Sequence, residues 1–276
     1  MIAIVTDSSA YLTRREAKAW SIVYVPLLYT IHSKEYAEKF ADENQDITPV
    51  IRSGEAGHIS QAPQDSFLKV FRKLREQGYE VLCITMSSRL SGMYNNAWVC
   101  AQSLEDDGSE VVDSLATAGQ LKLLLEQAHW AICQGMDLHQ AANHVRALRS
   151  RVHTVFSVDD MAPLRRSGRL GAVKLSVSTI LNIKPILRLR EGTIRAIGTA
   201  QGTRERVRKI LKEVPADAEK LVLSVYGHSL LDGALREGLQ AHCNCPMEEM
   251  RLGPVLGIHL GDSAIGVAWL AKEIAE

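Results

Sequence analysis

This sequence carries no excess charge of either sign: 32 Lys and Arg balance 32 Asp and Glu across 276 residues. With no basic field there is no electrostatic footprint for nucleic acid, and with no acidic run there is no charged tail. No apolar run reaches 18 residues, so no membrane-spanning helix is expected. The cysteines are few and odd in number: Cys83, Cys100, Cys133, Cys243 and Cys245. Cys243-Asn244-Cys245 lacks the spacing of a CxxC zinc or redox pair, which points to buried or spectator thiols in a reducing cytosol. The opening Met1-Ile2-Ala3-Ile4-Val5-Thr6-Asp7 has no charged n-region and meets Asp before any long apolar stretch. It reads as a first strand rather than a signal peptide, and a cytoplasmic location is expected. Familiar catalytic signatures are also missing. There is no GxxxxGK[ST] loop, no GxGxxG after the first strand, no HExxH and no GxSxG elbow. No metal and no cofactor is expected.

What is present is a chain that is 46% hydrophobic, enough for a substantial core in one large domain or two ordinary ones. Phe67, Val70, Phe71 and Leu74 follow the i, i+3, i+4, i+7 spacing of a helix that Gly78 stops. Leu121, Leu124, Leu125, Ala128 and Ile132 mark a longer helix. Leu138, Ala141, Ala142 and Val145 mark another after the break at Gly135. Strand-like runs alternate with these helices to about residue 155, which predicts βαβ units and a parallel sheet. After Thr154 the pattern changes. Ile186–Arg190, Glu191-Gly192 and Thr193–Ile197 read as a β-hairpin, and further strands are expected at Leu221–Tyr226 and Val255–His259, each followed by a helix. The expected class is α/β, with a parallel N-terminal domain over 1–153 and a mixed α+β domain over 154–276. Residues 30–62 are polar and weakly periodic, and read as a surface excursion holding a small subdomain or lid.

Three apolar runs end in Ser or Asp just before a helix is expected: Ile2–Thr6 into Asp7-Ser8-Ser9, Val81–Met86 into Ser87-Ser88, and Glu110–Val112 into Asp113-Ser114. Two readings of this pattern stand side by side. Ser and Asp are favoured helix N-caps. The carboxyl ends of parallel strands also form the ligand crevice of open α/β sheets, where hydroxyls and free N–H groups suit an oxyanion. Ser87-Ser88-Arg89-Leu90-Ser91-Gly92-Met93-Tyr94 is the densest such segment, with Gly92 allowing close backbone approach. Further along come the basic turn Arg165-Arg166-Ser167-Gly168-Arg169-Leu170 and the segment Val255-Leu256-Gly257-Ile258-His259. A Ser91–His259–Asp7 triad can be written down, but in a chain with nine histidines spacing alone supports many such sets.

Taken in order, these segments resemble the DegV family of bacterial fatty-acid-binding proteins. The resemblance rests on Val5-Thr6-Asp7-Ser8-Ser9-Ala10, Ser87 to Tyr94 (with Met93 where the family has Thr), Asp113-Ser114, Val158-Asp159-Asp160-Met161, Ser167-Gly168-Arg169-Leu170, Ile180 to Leu187 and Gly253 to Gly261. It covers essentially the whole chain. The resemblance implies a carrier that holds one long-chain fatty acid in a tunnel between its domains. It further implies that a separate ATP-dependent fatty acid kinase phosphorylates the carboxylate, so that the chain itself is not a stand-alone enzyme. The carboxylate contacts it implies are Ser91, Ser60, Gly92 and His259, with Arg169 at the surface where the kinase docks. Asp7 and Asp113 are expected to order loops, since a carboxylate beside an anionic head group is repelled. Two departures stand out: Ile59 occupies a pocket position where the family has Thr, and Gln201-Gly202-Thr203 replaces a family Arg-Gly-Arg, with Arg204 and Arg206 close by. The rival readings are a Ser91/His259 hydrolase or phosphotransferase, and a binding protein for another anionic lipid.

Overall fold

The computed structural model describes residues 1–60, 65–104, 106–170 and 183–273. Gln61, Ala62 and residues Ile180 to Asn182, which carry part of the resemblance, lie outside them. The chain opens with β1 (Ile2–Asp7), a short 3-10 turn at Ser8–Ala10, α1 (Arg14–Ala19) and β2 (Ile22–Val25). The excursion then supplies β3 (Leu28–Ile31), β4 (Lys34–Ala37), α2 (Thr48–Arg52) and β5 (Ala56–Ser60). Next come α3 (Asp65–Glu76), β6 (Glu80–Thr85), α4 (Met93–Gln102), β7 (Ser109–Asp113), α5 (Ala118–Cys133) and α6 (Leu138–Leu148). The later part holds β8 (Val152–Val158), α7 (Ala162–Arg166), β9 (Ile183–Arg190), β10 (Thr193–Gln201) and α8 (Gly202–Glu213). It ends with β11 (Lys220–Gly227), α9 (Asp232–His242), β12 (Met247–Arg251), α10 (Pro254–Leu260) and β13 (Ser263–Leu270).

The first sheet is parallel, in the order β2-β1-β6-β7. Its central strands are continuous apolar runs because both faces are covered, the usual condition of a parallel sheet. Phe67, Phe71 and Leu74 form the buried stripe of α3, as their spacing predicts. The second sheet has the order β10-β9-β8-β13-β11-β12 and is antiparallel except for the β11–β12 pair. One of its faces is covered by α8 and α9 through Ile210, Leu235 and Leu239. Against the other lies α5, which also touches β1, so one helix fills the space between the two sheets. That double contact explains why Leu121, Leu123, Leu124, Leu125 and Ala128 are all buried rather than forming a single stripe. The excursion is a small antiparallel sheet, β4-β3-β5, beginning at Leu28.

The segment Val255–His259 is not a strand but the middle of α10. Its β-branched and apolar residues mimic a strand. However, Gly253-Pro254 places a proline in the first turn, where its fixed φ suits a helix and its missing N–H costs nothing. The strand of this region is β13, with all its residues buried. It lies in the centre of its sheet and so shows no alternation to betray it. The division expected at 153/154 falls within β8, the first strand of the larger sheet. Cys83, Cys100 and Cys243 are buried as free thiols, whereas Cys133 is exposed on α5.

The two sheets meet at the β9–β10 hairpin. Its turn, Glu191-Gly192, has φ of 49° and 75°, the left-handed pair typical of a tight two-residue hairpin. The turn docks on the loop after β6, where the buried Ser87 hydroxyl donates to Gly192 O at 3.0 Å. A Cβ at position 192 would sit 2.3 Å from Ser87 Oγ. Gly192→Ala therefore combines an unfavourable φ with a steric conflict in the inter-sheet contact. It should destabilise the fold by about 1–3 kcal/mol; an unchanged urea midpoint would show that the hairpin tip does not hold the sheets together.

Candidate functional site

The carboxyl ends of β1, β6 and β7 face the large sheet across a cavity that is partly open to solvent. Its apolar wall comes from both sides: Leu27, Ile59, Met86 and Leu90 on one, Phe156, Leu189, Ile194 and Ile265 on the other. Ser60, Ser91, Arg169 and His259 also line it, together with Ile59, so the structure brings five of the six expected site residues to one cavity. Gly92 is the exception. It is the residue before α4, with φ −76° and ψ 4°, a conformation open to any residue, and it is not among the lining residues. The reason is the turn at Ser88–Leu90, which separates β6 from α4 and puts Ser91, not Gly92, at the crevice.

The strand-end acids hold loops, as expected. Asp7 accepts from Ser9 N at 3.0 Å, Ser9 Oγ at 2.6 Å and Met86 N at 2.7 Å, tying the end of β1 to that of β6. Even so, its complete burial raises its carboxyl above the ordinary range, desolvation outweighing those hydrogen bonds. Asp113 accepts from Ser88 N, Ser88 Oγ and Leu115 N. With Asp7 so occupied, no Ser91–His259–Asp7 triad is assembled. Nor does Ser91 cap a helix, since α4 has no side-chain cap. Among the described residues the Ser60 and Ser91 hydroxyls and the His259 imidazole make no protein hydrogen bond. Thr117 Oγ1, also on the wall, is likewise buried without a partner, whereas the Ser9 hydroxyl is bonded to Asp7 and the Thr154 hydroxyl to Val267 O.

His259 sits near the end of α10, half-buried, and its pKa falls to about 4. Burial is the main cause, followed by the positive charge of Arg169. The imidazole is therefore neutral at pH 7. Arg169 is exposed at the cavity edge, where Nε donates to Leu90 O at 3.3 Å and Nη1 to Ser167 O. It does not pair with Asp159, whose Oδ1 takes Arg206 Nη1 at 2.6 Å. Arg206 is buried and also donates to Ser157 Oγ at 3.1 Å, so it ties α8 to the end of β8. Gln201, Thr203 and Arg204 are exposed at the start of α8, off the cavity wall.

The sequence gives no hint of the group that anchors α10. Glu38, just after β4, is 1% exposed. It accepts from Val255 N at 2.9 Å and from Ser8 Oγ at 2.7 Å. Tyr11 Oη accepts the next free amide, Leu256 N, at 3.1 Å and also hydrogen-bonds Glu38. Two of the orphan N–H groups of α10 are thus capped from more than two hundred residues away. Gly253 makes room for this, because a Cβ there would lie 2.6 Å from Glu38 Oε1. Gly257 likewise lets α10 lie flush on Tyr226, whose ring would be 2.1 Å from a Cβ. Burial pushes Glu38 up to about 8, the hydrogen bonds only partly offsetting it, and nearby Asp7 pushing the same way.

No group of three or more metal-ligating side chains occurs among the described residues, and none of their helices is long and apolar enough to cross a membrane. A family model described as an uncharacterised protein of the DegV family matches residues 1–272. A DegV domain-containing protein of Halalkalibacterium halodurans is 31% identical over 282 residues, covering 99% of each chain. Another, from Listeria monocytogenes, is 30% identical over 284 residues, covering 98% of this chain and 99% of its own. In structure the chain is similar to a DegV family protein from Thermus thermophilus described by its fatty acid binding. The TM-score is 0.88 at 27% identity, over 98% of this chain and 99% of that one. A DegV lipid-binding protein of Thermotoga maritima, at 21% identity, shares the fold with a TM-score of 0.88 over 99% of each chain.

The raised pKa of Glu38 has a thermodynamic consequence. Between pH 4.5 and about 8 the unfolded chain has released this proton while the folded chain retains it. Stability from this residue is therefore fully present below pH 4.5 and declines with rising pH, by up to about 1.4 kcal/mol per pH unit. Glu38→Gln keeps an acceptor but removes the titration, so its stability relative to the parent should rise across that window. Parallel melting curves for the two proteins from pH 4.5 to 8 would refute a buried neutral Glu38.

Proposed function

The chain belongs to the DegV family, and on that premise we propose that it is a cytoplasmic carrier for one long-chain fatty acid. The acyl tail lies along the apolar cavity, and the carboxylate meets Ser60, Ser91, His259 and Arg169. One observation carries this reading. A largely apolar wall presents the two serine hydroxyls and an imidazole with no protein partner, beside an exposed guanidinium, and the Thr117 hydroxyl is unpaired there as well. Polar groups left unpaired in a partly buried wall are costly unless something else satisfies them. A carboxylate does so, accepting from each hydroxyl and from the imidazole N–H, with Arg169 supplying charge. Burying ~14 methylenes contributes about 11 kcal/mol of gross transfer energy before ordering costs. The head group then has only to fix orientation.

The carboxylate is phosphorylated by a separate ATP-dependent fatty acid kinase, and this chain needs no cofactor beyond its ligand. Support comes from the open cavity edge and from the sequence, which has no GxxxxGK[ST] loop to hold ATP. Arg169 is well placed for two tasks, drawing the carboxylate towards the edge and meeting the kinase there. Ile59 adds apolar surface where the family supplies a hydroxyl, leaving Ser60 and Ser91 to carry the head group.

Native mass spectrometry of protein expressed in bacteria tests the carrier reading directly. About one fatty acid per chain is expected, because an apolar cavity of this kind does not stay empty among acyl chains. Repeated preparations holding no acyl chain, and no binding of added fatty acid, would overturn it.

Ser91→Ala and Arg169→Ala separate binding from delivery. The first removes a donor to a charged acceptor and should weaken fatty-acid binding by about 1.5–3 kcal/mol, with little change in melting because no cap is lost. The second should reduce kinase-dependent acyl-phosphate formation and its salt dependence while fatty-acid binding falls less. Calorimetry and a coupled phosphorylation assay on both variants decide it; loss of affinity and activity in equal proportion for Arg169→Ala would remove the docking role.

A further inference from the structure

The carrier reading, on which this inference rests, uses His259 but leaves open what aims it. The element holding His259 is α10, only seven residues long, too short to hold its orientation unaided. Its far end runs through Gly261, whose φ is 91°, directly into β13 of the large sheet, and the Asp262 carboxylate between them accepts from Arg52 Nε of α2 at 2.9 Å. Its near end has no local cap, since Gly253 has no side chain and Pro254 no N–H. The cap comes instead from Glu38 and Tyr11, with the Ser8 hydroxyl donating to Glu38. Ser8 Oγ also accepts Leu27 N at 2.9 Å, so the same cluster fixes the loop before β3. Leu27, Val255 and Leu256 all lie on the cavity wall beside His259. The neighbours of Glu38 are a further argument for a mechanical task. Among its described surroundings are Asp7, Tyr24, Tyr29 and Tyr226, none of them basic. A buried carboxyl bonded to one backbone amide and two hydroxyls, with no cation among these neighbours, serves as an acceptor of fixed position.

We propose that Glu38 is a positioning residue for the head-group site: with Tyr11 it holds the first turn of α10 so that His259 faces the ligand carboxylate. Glu38 does not touch the ligand and acts through the helix. The consequence is selective. Misplacing α10 costs the interaction with the carboxylate far more than it costs tail burial along the rest of the cavity.

The experiment compares a long-chain fatty acid with the fatty alcohol of equal length, which has the tail without the carboxylate. Parent protein should bind the acid at least about tenfold more tightly, the size of a hydrogen bond to a charged group. Glu38→Leu and Tyr11→Phe should lose most of that preference while retaining alcohol binding. Glu38→Gln, which keeps an acceptor oxygen for Val255 N, should restore it. If Glu38→Leu fails to fold, Tyr11→Phe alone decides the matter. Equal losses for acid and alcohol in Tyr11→Phe, with the preference intact, would overturn the positioning role and leave a merely structural one. Parent protein that binds neither ligand would instead overturn the carrier reading itself.

Discussion

An open apolar cavity between two sheets is the constraint that the rest of this structure serves. Side chains on its wall lack neighbours on one side and forgo the dispersion contacts they would have in a close-packed core. Collapse of the walls would recover those contacts, so the walls have to be held apart by elements fixed elsewhere. One hydrophobic core runs from the parallel sheet through α5 to the near face of the six-stranded sheet, whose far face has a second core under α8 and α9. Polar ties then set the distance: Ser87 to Gly192, Arg169 to Leu90, and Arg52 to Asp262. Lys122 on α5 is only 3% exposed and lies between Glu16 and Glu248. Lys220 joins the same group through Glu126 and Glu248. A buried ammonium of this kind adds little net stability, but removing one partner strands a charge, which makes the arrangement hard to distort.

The electrostatics of the cavity edge follow from the same burial. His259 is held neutral and Glu38 is pushed towards its protonated form, so the two groups most able to alter the local charge are silent near neutral pH. What remains is Arg169. A site of this character favours a single anion through one exposed cation and several neutral donors, and avoids the desolvation penalty of a fully buried ion pair. It also leaves the guanidinium at the edge, where it remains accessible to a second protein.

Much of this was legible in the sequence, for identifiable reasons. The buried parallel strands read as unbroken apolar runs, and the β9–β10 hairpin announced itself through alternation around Glu191-Gly192. Ser60, Ser91, Ile59, Arg169 and His259 were reached through ordered short motifs rather than through periodicity, and all five lie on the cavity wall. The failures share a cause, which is that tertiary contacts decided the local structure. The segment Val255–His259 has strand-like composition, yet it is helical because Pro254 starts it and a distant carboxyl caps it. β13 is central and buried, so its pattern carries no sign of a sheet. Glu38 sits in a polar stretch, after Glu35 on an otherwise exposed strand, and nothing local distinguishes it from a solvated side chain. Gly92 was expected at the carboxylate because a glycine permits close backbone approach, whereas the Ser88–Leu90 turn puts Ser91 at the crevice instead.

The distance along the chain between Glu38 and Val255, 217 residues, bears on how the protein is made. Translation delivers the parallel sheet first, and such regions begin to fold while the chain is still being extended. At that stage the strand ends and Ser91 exist, but the helix bearing His259 and the strand behind it have yet to leave the ribosome. A nascent chain can therefore own half of the cavity wall without the polar edge that His259 completes. The cavity closes only once α10 and β13 have been made, and a product truncated before them is left with an exposed apolar half-groove.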